Sequence, residues 1–115
     1  MRVNLKRTRY SDDWEYLNPS LKRLRKAVEG ISKGTYSVQA VSPTNWQVRS
    51  DKNTYKVSFQ NGTFHCTCKD WQYRNDRVVF CKHTWVVIAT QELPDEFTSI
   101  IIANPELTNY VEVKT

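Results

Sequence analysis

Between Gly34 and Cys68 polar and apolar residues alternate almost one for one, the period of a strand that lays one face on a core. Tyr36, Val38 and Ala40 share one parity, as do Trp46 and Val48, then Tyr55, Val57 and Phe59, and finally Phe64, Cys66 and Cys68. Ser42-Pro43-Thr44-Asn45, Ser50-Asp51-Lys52-Asn53 and Asn61-Gly62 punctuate the run. The last is a strong signal for a two-residue hairpin. The pattern predicts an antiparallel β meander.

Upstream the period lengthens to that of a helix. Asn18 can cap, Pro19 suits the first helical position, and Leu21, Leu24 and Val28 fall on one face. A helix is predicted from Pro19 to about Glu29, ended by Gly30. Ser11-Asp12-Asp13 reads as the start of a shorter helical segment through Leu17, and residues 1–10 as an edge strand or a loose arm. Downstream, Leu93-Pro94 and Asn104-Pro105 are breaks. Ile100-Ile101-Ile102 between them reads as a buried strand or a docking segment, and Tyr110, Val111 and Val113 as an edge strand. The chain has neither internal repeats nor low-complexity tracts.

All three cysteines and both histidines lie between His65 and His83. Cys66 and Cys68 form a C-x-C pair, and Cys81 and His83 a C-x-H pair. Three thiols and an imidazole in two tight pairs suit one tetrahedral Zn²⁺, which takes S and N donors and is closed in structural sites. Residues i and i+2 of a strand project to the same side, so one ion can face both Cys66 and Cys68. The second pair then sits where a loop enters a helix, predicted from Cys81 to about Glu92 despite the β-branched Thr84, Val86, Val87 and Ile88. The plainer reading is three half-buried thiols. A disulfide framework leaves one cysteine over, and a catalytic zinc keeps a position open, which a fourth good ligand fills.

The spacer from Lys69 to Phe80 is polar and basic around a predicted turn, with Trp71 packing near the metal and Val78-Val79-Phe80 as a short strand or apolar plug. The fold class is therefore α+β: an N-terminal helix, an antiparallel β meander, and a zinc site joining the last strand to a helix on its C-terminal side. A chain of 115 residues is expected to be a single domain, with a basic helical part over 1–34, the zinc unit over 35–92 and an acidic tail over 93–115 packed on or near the core.

Over residues 35 to 92 the chain resembles a SWIM zinc finger, whose pattern is C-x-C, a variable spacer, then C-x-H. An aromatic-rich strand region precedes the first pair, Asp70-Trp71 stands where the family often has an Asp-aromatic dipeptide, and an apolar segment follows His83. Val78-Val79-Phe80 departs from the Gly or Pro that often precedes the third ligand. The resemblance carries the ligands onto Cys66, Cys68, Cys81 and His83, and leaves His65 beside the motif. It implies binding to DNA or to proteins, in recombination or transposition-type complexes, including pairing with recombinase paralogues.

Charge sharpens that expectation. The net +5 divides into +5 over residues 1–34, +4 over 35–90 and −4 over 91–115. A basic body suits nucleic acid or another polyanion. Candidate phosphate contacts are Lys69, Arg74, Arg77 and Lys82 around the zinc unit, and Lys22, Arg23, Arg25 and Lys26 on the N-terminal helix, with Tyr73 or Trp71 for base stacking. The same cluster also reads as an ordinary solvated helix face. The leading expectation is a zinc-stabilised, largely phosphate-directed nucleic-acid-binding module, DNA first; the alternative is a protein-interaction adaptor. No Gly-rich phosphate loop, acid/base pair or Ser/His/Asp set can be assembled, so neither an enzyme nor a small-molecule substrate is expected. No apolar run is long enough to span a membrane. With metal-ligand cysteines and no secretory signal, an intracellular location is expected, in the cytoplasm or the nucleus/nucleoid.

Overall fold

The structure, a computed structural model, describes residues 1–6, 19–75 and 80–114. It is α+β, with four α-helices among the described residues. In chain order the elements are β1 (Arg2–Leu5), α1 (Pro19–Ser32), β2 (Tyr36–Ser42), β3 (Asn45–Ser50), β4 (Asn53–Gln60), β5 (Thr63–Cys66), α2 (Lys69–Arg74), α3 (Lys82–Thr90), α4 (Phe97–Ala103), a 3₁₀ turn (Pro105–Asn109) and β6 (Val111–Lys114).

The meander forms as its alternation requires. β2, β3, β4 and β5 pair in sequence order, all antiparallel, and Trp46, Val48, Val57, Phe59, Phe64 and Cys66 are buried on one face. Asn61 and Gly62 both take positive φ, as a type I′ hairpin turn demands. The alternation fades at β2, an edge strand, where Ala40 is exposed and the register shifts between Ala40 and Ser42.

α3 is the centre of the molecule. His83 through Ile88 are all buried, because one side of the helix meets the strands and another meets α1. A helix that is apolar all round must be covered all round. That covering outweighs the strand preference of Thr84, Val86, Val87 and Ile88, since burying such a side chain gains roughly 2 kcal/mol against helix-propensity losses of a few tenths. The Trp85 indole N–H reaches the Ser20 carbonyl at 2.8 Å, tying α3 to the start of α1.

Three expectations are corrected. α1 does not end at Gly30 but runs to Ser32. Gly34 (φ +68) ends it, with the Gly34 N–H on the Ile31 carbonyl at 3.1 Å and the Thr35 N–H on the Gly30 carbonyl at 2.9 Å, the paired bonds of a glycine C-cap. Gly30 is inside the helix for a different reason: a Cβ there would overlap the Tyr36 ring. Gly30→Ala should therefore lower stability by about 1–2 kcal/mol despite the better helix former, read by thermal unfolding. Second, the Ile100 triplet is not a strand. It lies in α4, where the helical period buries Phe97 and Ile100 and leaves Ile102 73% exposed. Third, the start of the spacer is helical: Lys69–Arg74 forms α2 rather than part of a turn. Arg77, Val78 and Val79, and the segment expected from Ser11 to Leu17, lie outside the described residues.

β1 and β6 pair with each other, Arg2 opposite Lys114 and Leu5 opposite Val111. The terminal amine sits 2.8 Å from the Glu92 carboxylate and donates to the Leu93 carbonyl. Phe97, Ile100, Leu107, Tyr110 and Val111 belong to the same buried cluster as Trp46 and Phe64.

Candidate metal centre and the adjoining groove

Cys66 ends β5 on the buried parity, opposite Val57 of β4. Cys68, two residues on, is still extended (φ −69°, ψ 154°) and caps α2, its Sγ accepting the Trp71 N–H at 3.4 Å. Cys81 is extended in the same way (φ −77°, ψ 173°) at the N-cap of α3, which puts His83 in the first helical turn. Strand end and helix start thus converge. The four donor atoms lie within 4.8 Å of one another, and all four residues are buried.

The imidazole is aimed. His83 Nδ1 is 3.8 Å from Cys66 Sγ and 4.0 Å from Cys81 Sγ. Its ring stacks on Tyr55, centroids 4.0 Å apart, with the Tyr36 ring edge-on at 6.3 Å. Nε2 is buried without a hydrogen-bond partner among the described residues. The Thr84 hydroxyl is 3.4 Å from Cys81 Sγ.

The thiols are mutually perturbed. Hydrogen bonds to Cys68 and Cys81, with burial, push the Cys66 thiol well up. Cys68 is lowered by its bond to Cys66, yet its bond to Cys81 and burial leave it raised to about 11. Cys81, which accepts from Cys66, Cys68, His83 and Thr84, is held far below the ordinary thiol range. Burial and mutual hydrogen bonding thus oppose a full set of three thiolates in the absence of a counter-charge. A dication held by Cys66, Cys68, Cys81 and His83 would supply that counter-charge, since a coordinated thiol is deprotonated and buried thiolates need compensation. The donor set fits a single metal ion with a preference for S and N.

His65 lies on the other parity of β5, half-buried, its ring centroid 5.0 Å from that of Trp71. It is not part of the cluster.

Beside the centre runs a groove of about 450 Å³ lined by Lys22, Arg23, Lys26, Asp70, Arg74 and Lys82. The helix period puts Lys22 and Lys26 one turn apart on α1, α2 contributes Asp70 and Arg74, and Lys82 stands between Cys81 and His83 of the cluster. Five of the cations expected from the sequence to contact phosphate are therefore gathered in one place. Arg23 is already engaged, however. Its Nε and Nη2 donate to the two Asp70 carboxylate oxygens at 2.9 and 2.8 Å, and Nη1 donates to the Pro19 carbonyl. Arg74 Nη1 meets the same carboxylate at 2.9 Å. Lys22, Lys26 and Lys82 form no ion pair among the described residues. The other candidates lie elsewhere: Arg25 pairs with Glu29 at 3.6 Å, Lys69 is exposed off the groove, and Tyr73 is 78% exposed.

In the sequence Asp70 stands out only through its neighbour Trp71, not for this role. Its spacing of four from Arg74 was the available signal; the Arg23 contact, 47 residues away, had none. Hydrogen bonding to Arg23 first, and to Arg74 as well, holds its carboxyl below the usual range. Since the folded pKa is the lower one, the pair stabilises the fold above the ordinary carboxylate pKa near 4 and that gain is lost as pH falls through the depressed value. Asp70→Asn should cost about 1 kcal/mol at pH 7, and the gap from the parent in denaturant midpoint should close below about pH 4.

Comparison of the chain with protein-family models, with curated proteins and with solved structures finds no match in any of the three. No helix among the described residues is long and apolar enough to cross a membrane.

Proposed function

We propose that the chain is a zinc-stabilised nucleic-acid-binding module, similar to a SWIM finger, that takes DNA mainly by its phosphates. Zinc is favoured by the donor set and by its spacing. Zn–S and Zn–N bonds of ~2.3 and ~2.0 Å in a tetrahedron place ligand atoms roughly 3.5–3.8 Å apart. The 3.8 and 4.0 Å from His83 Nδ1 to two of the sulfurs are close to that. With Cys66, Cys68, Cys81 and His83 as four protein ligands, the ion's part is structural: it supplies charge for the thiolates and fixes the strand end against α3.

The observation that carries the nucleic-acid reading is the groove. Lys22, Lys26, Lys82 and the unspent donors of Arg74 face one trough in which Asp70, the one acid, is already neutralised by two arginines. A phosphate chain laid there meets four cations and no uncompensated carboxylate. The positive balance of the body adds steering toward a polyanion.

Titration with labelled single- and double-stranded DNA across salt tests this. Four phosphate contacts predict a slope of log affinity on log salt near −3.6 for duplex and near −2.8 for single strands. The double variant Lys22→Glu/Lys26→Glu should lose at least about tenfold in affinity and flatten the slope by about two. Metal loading without any DNA binding would move the reading to a protein adaptor, for which the exposed Ile102 on α4 is the feature in favour.

A further inference from the structure

α2 buries none of its six residues, and a helix that short does not hold itself in water. Besides the half-buried Trp71 and a Gln72 amide that donates to the Thr67 carbonyl, two attachments tie it to the rest of the site. At its start the cap is Cys68, a member of the metal cluster. On its flank Asp70 is clasped by Arg23 of α1 through both carboxylate oxygens. Lys82 is held in the same way, between Cys81 and His83. The groove therefore has two halves of different origin. Lys22, Arg23 and Lys26 stand on α1, which contains no metal ligand. Asp70, Arg74 and Lys82 stand on segments that the ligands hold in place.

We infer that the metal centre and the groove are one thermodynamic unit, joined through the Arg23–Asp70 pair. Metal loading raises the groove's affinity for a phosphate chain, and a bound phosphate chain raises the affinity for metal by the same factor. The physical reason is bridging. A polyanion that spans Lys22 and Lys26 on one side and Arg74 and Lys82 on the other finds both halves in place only when the ligand-bearing segments are fixed. Whatever favours that arrangement at one site favours it at the other, and linkage makes the two effects equal. Asp70 is a positioning residue in this scheme, since it orients two arginines and contacts neither metal nor phosphate.

The inference rests on the groove being the nucleic-acid site proposed above, and the test separates the two. The zinc affinity of the full chain is measured by equilibrium competition with a chromophoric chelator, with and without a saturating single-stranded oligodeoxynucleotide. The affinity for that oligonucleotide is measured with zinc-loaded and zinc-stripped protein. Coupling predicts that both affinities change by one common factor of about ten. In Lys22→Glu/Lys26→Glu the zinc affinity should no longer respond to the oligonucleotide, and in Asp70→Asn the factor should fall, leaving only the part carried by folding itself. If the loaded protein binds the oligonucleotide while its zinc affinity stays put, or responds equally in the lysine variant, the coupling is overturned and the nucleic-acid reading stands. If the loaded protein binds no oligonucleotide, the reading itself fails. Should Asp70→Asn not fold, the wild-type and lysine-variant comparisons decide.

Discussion

Cys81→Ser is expected to lose the bound metal and the cooperative unfolding transition together. Cys81 is fully buried at the N-cap of α3, where its sulfur is within hydrogen-bonding reach of His83 and Thr84. Serine keeps the shape, is at home at an N-cap and removes the thiolate. A structural metal in a small domain is worth on the order of 10 kcal/mol. That is comparable with the whole stability of an ordinary domain, about 5–15 kcal/mol. Cys66, Cys68 and Cys81 belong to the same buried cluster as Phe64, Phe80 and Trp85, so a change at the site reaches the whole core. Elemental analysis and a thermal melt followed by circular dichroism read the result. A variant that melts like the parent, or a parent indifferent to a strong chelator, would mean that the cluster is four buried side chains and not a metal centre.

Trp85→Ala should be the most damaging change away from the ligands. The indole is fully buried, packs edge-on against Phe80 with centroids 4.9 Å apart, and donates to the Ser20 carbonyl at 2.8 Å. Removing it opens a large cavity between α3 and α1 and deletes the indole bond to α1. Large-to-small changes of this kind cost about 3–5 kcal/mol. For a domain of this size that lowers the melting temperature by roughly 15 °C. Because α1 carries Lys22 and Lys26, phosphate affinity should fall with it even at temperatures where the variant is folded. Trp85→Phe, which keeps most of the volume and loses the N–H, should recover more than half of the stability, leaving a loss of about 1–2 kcal/mol. A melt within a few degrees of the parent for Trp85→Ala would contradict the packing of α1 on α3.

The meander and the gathering of Cys66, Cys68, Cys81 and His83 were legible because both rest on local pattern. Period-two alternation sets the faces of β3 to β5, Asn61-Gly62 sets the turn, and Cys66 and Cys68 inherit their side from Phe64. What the sequence did not carry depends on contacts between distant segments. Gly30 looked like a helix stop and is a contact point for Tyr36, whereas the cap is four residues on at Gly34. Ile100, Ile101 and Ile102 are β-branched and read as a buried strand or a docking segment, yet the burial of Phe97 and Ile100 goes with a helix. The pairing of β1 with β6 joins the two ends of the chain, and no local pattern announces such a partner. The basic residues of α1 were visible, but their division was not: Arg23 is committed to Asp70 and Arg25 pairs with Glu29, while Lys22 and Lys26 face the groove.

The most direct test of the account is a titration of the reduced, metal-free protein with Co²⁺, followed by its absorption spectrum. The account predicts saturation at one equivalent, with the intense ligand-field bands of a tetrahedral site and a thiolate-to-metal charge-transfer intensity that corresponds to three sulfurs. Zinc should then displace the cobalt and bleach the bands. Weak bands of an octahedral, water-rich ion, or no saturable binding, would contradict the claim that Cys66, Cys68, Cys81 and His83 form one closed metal site.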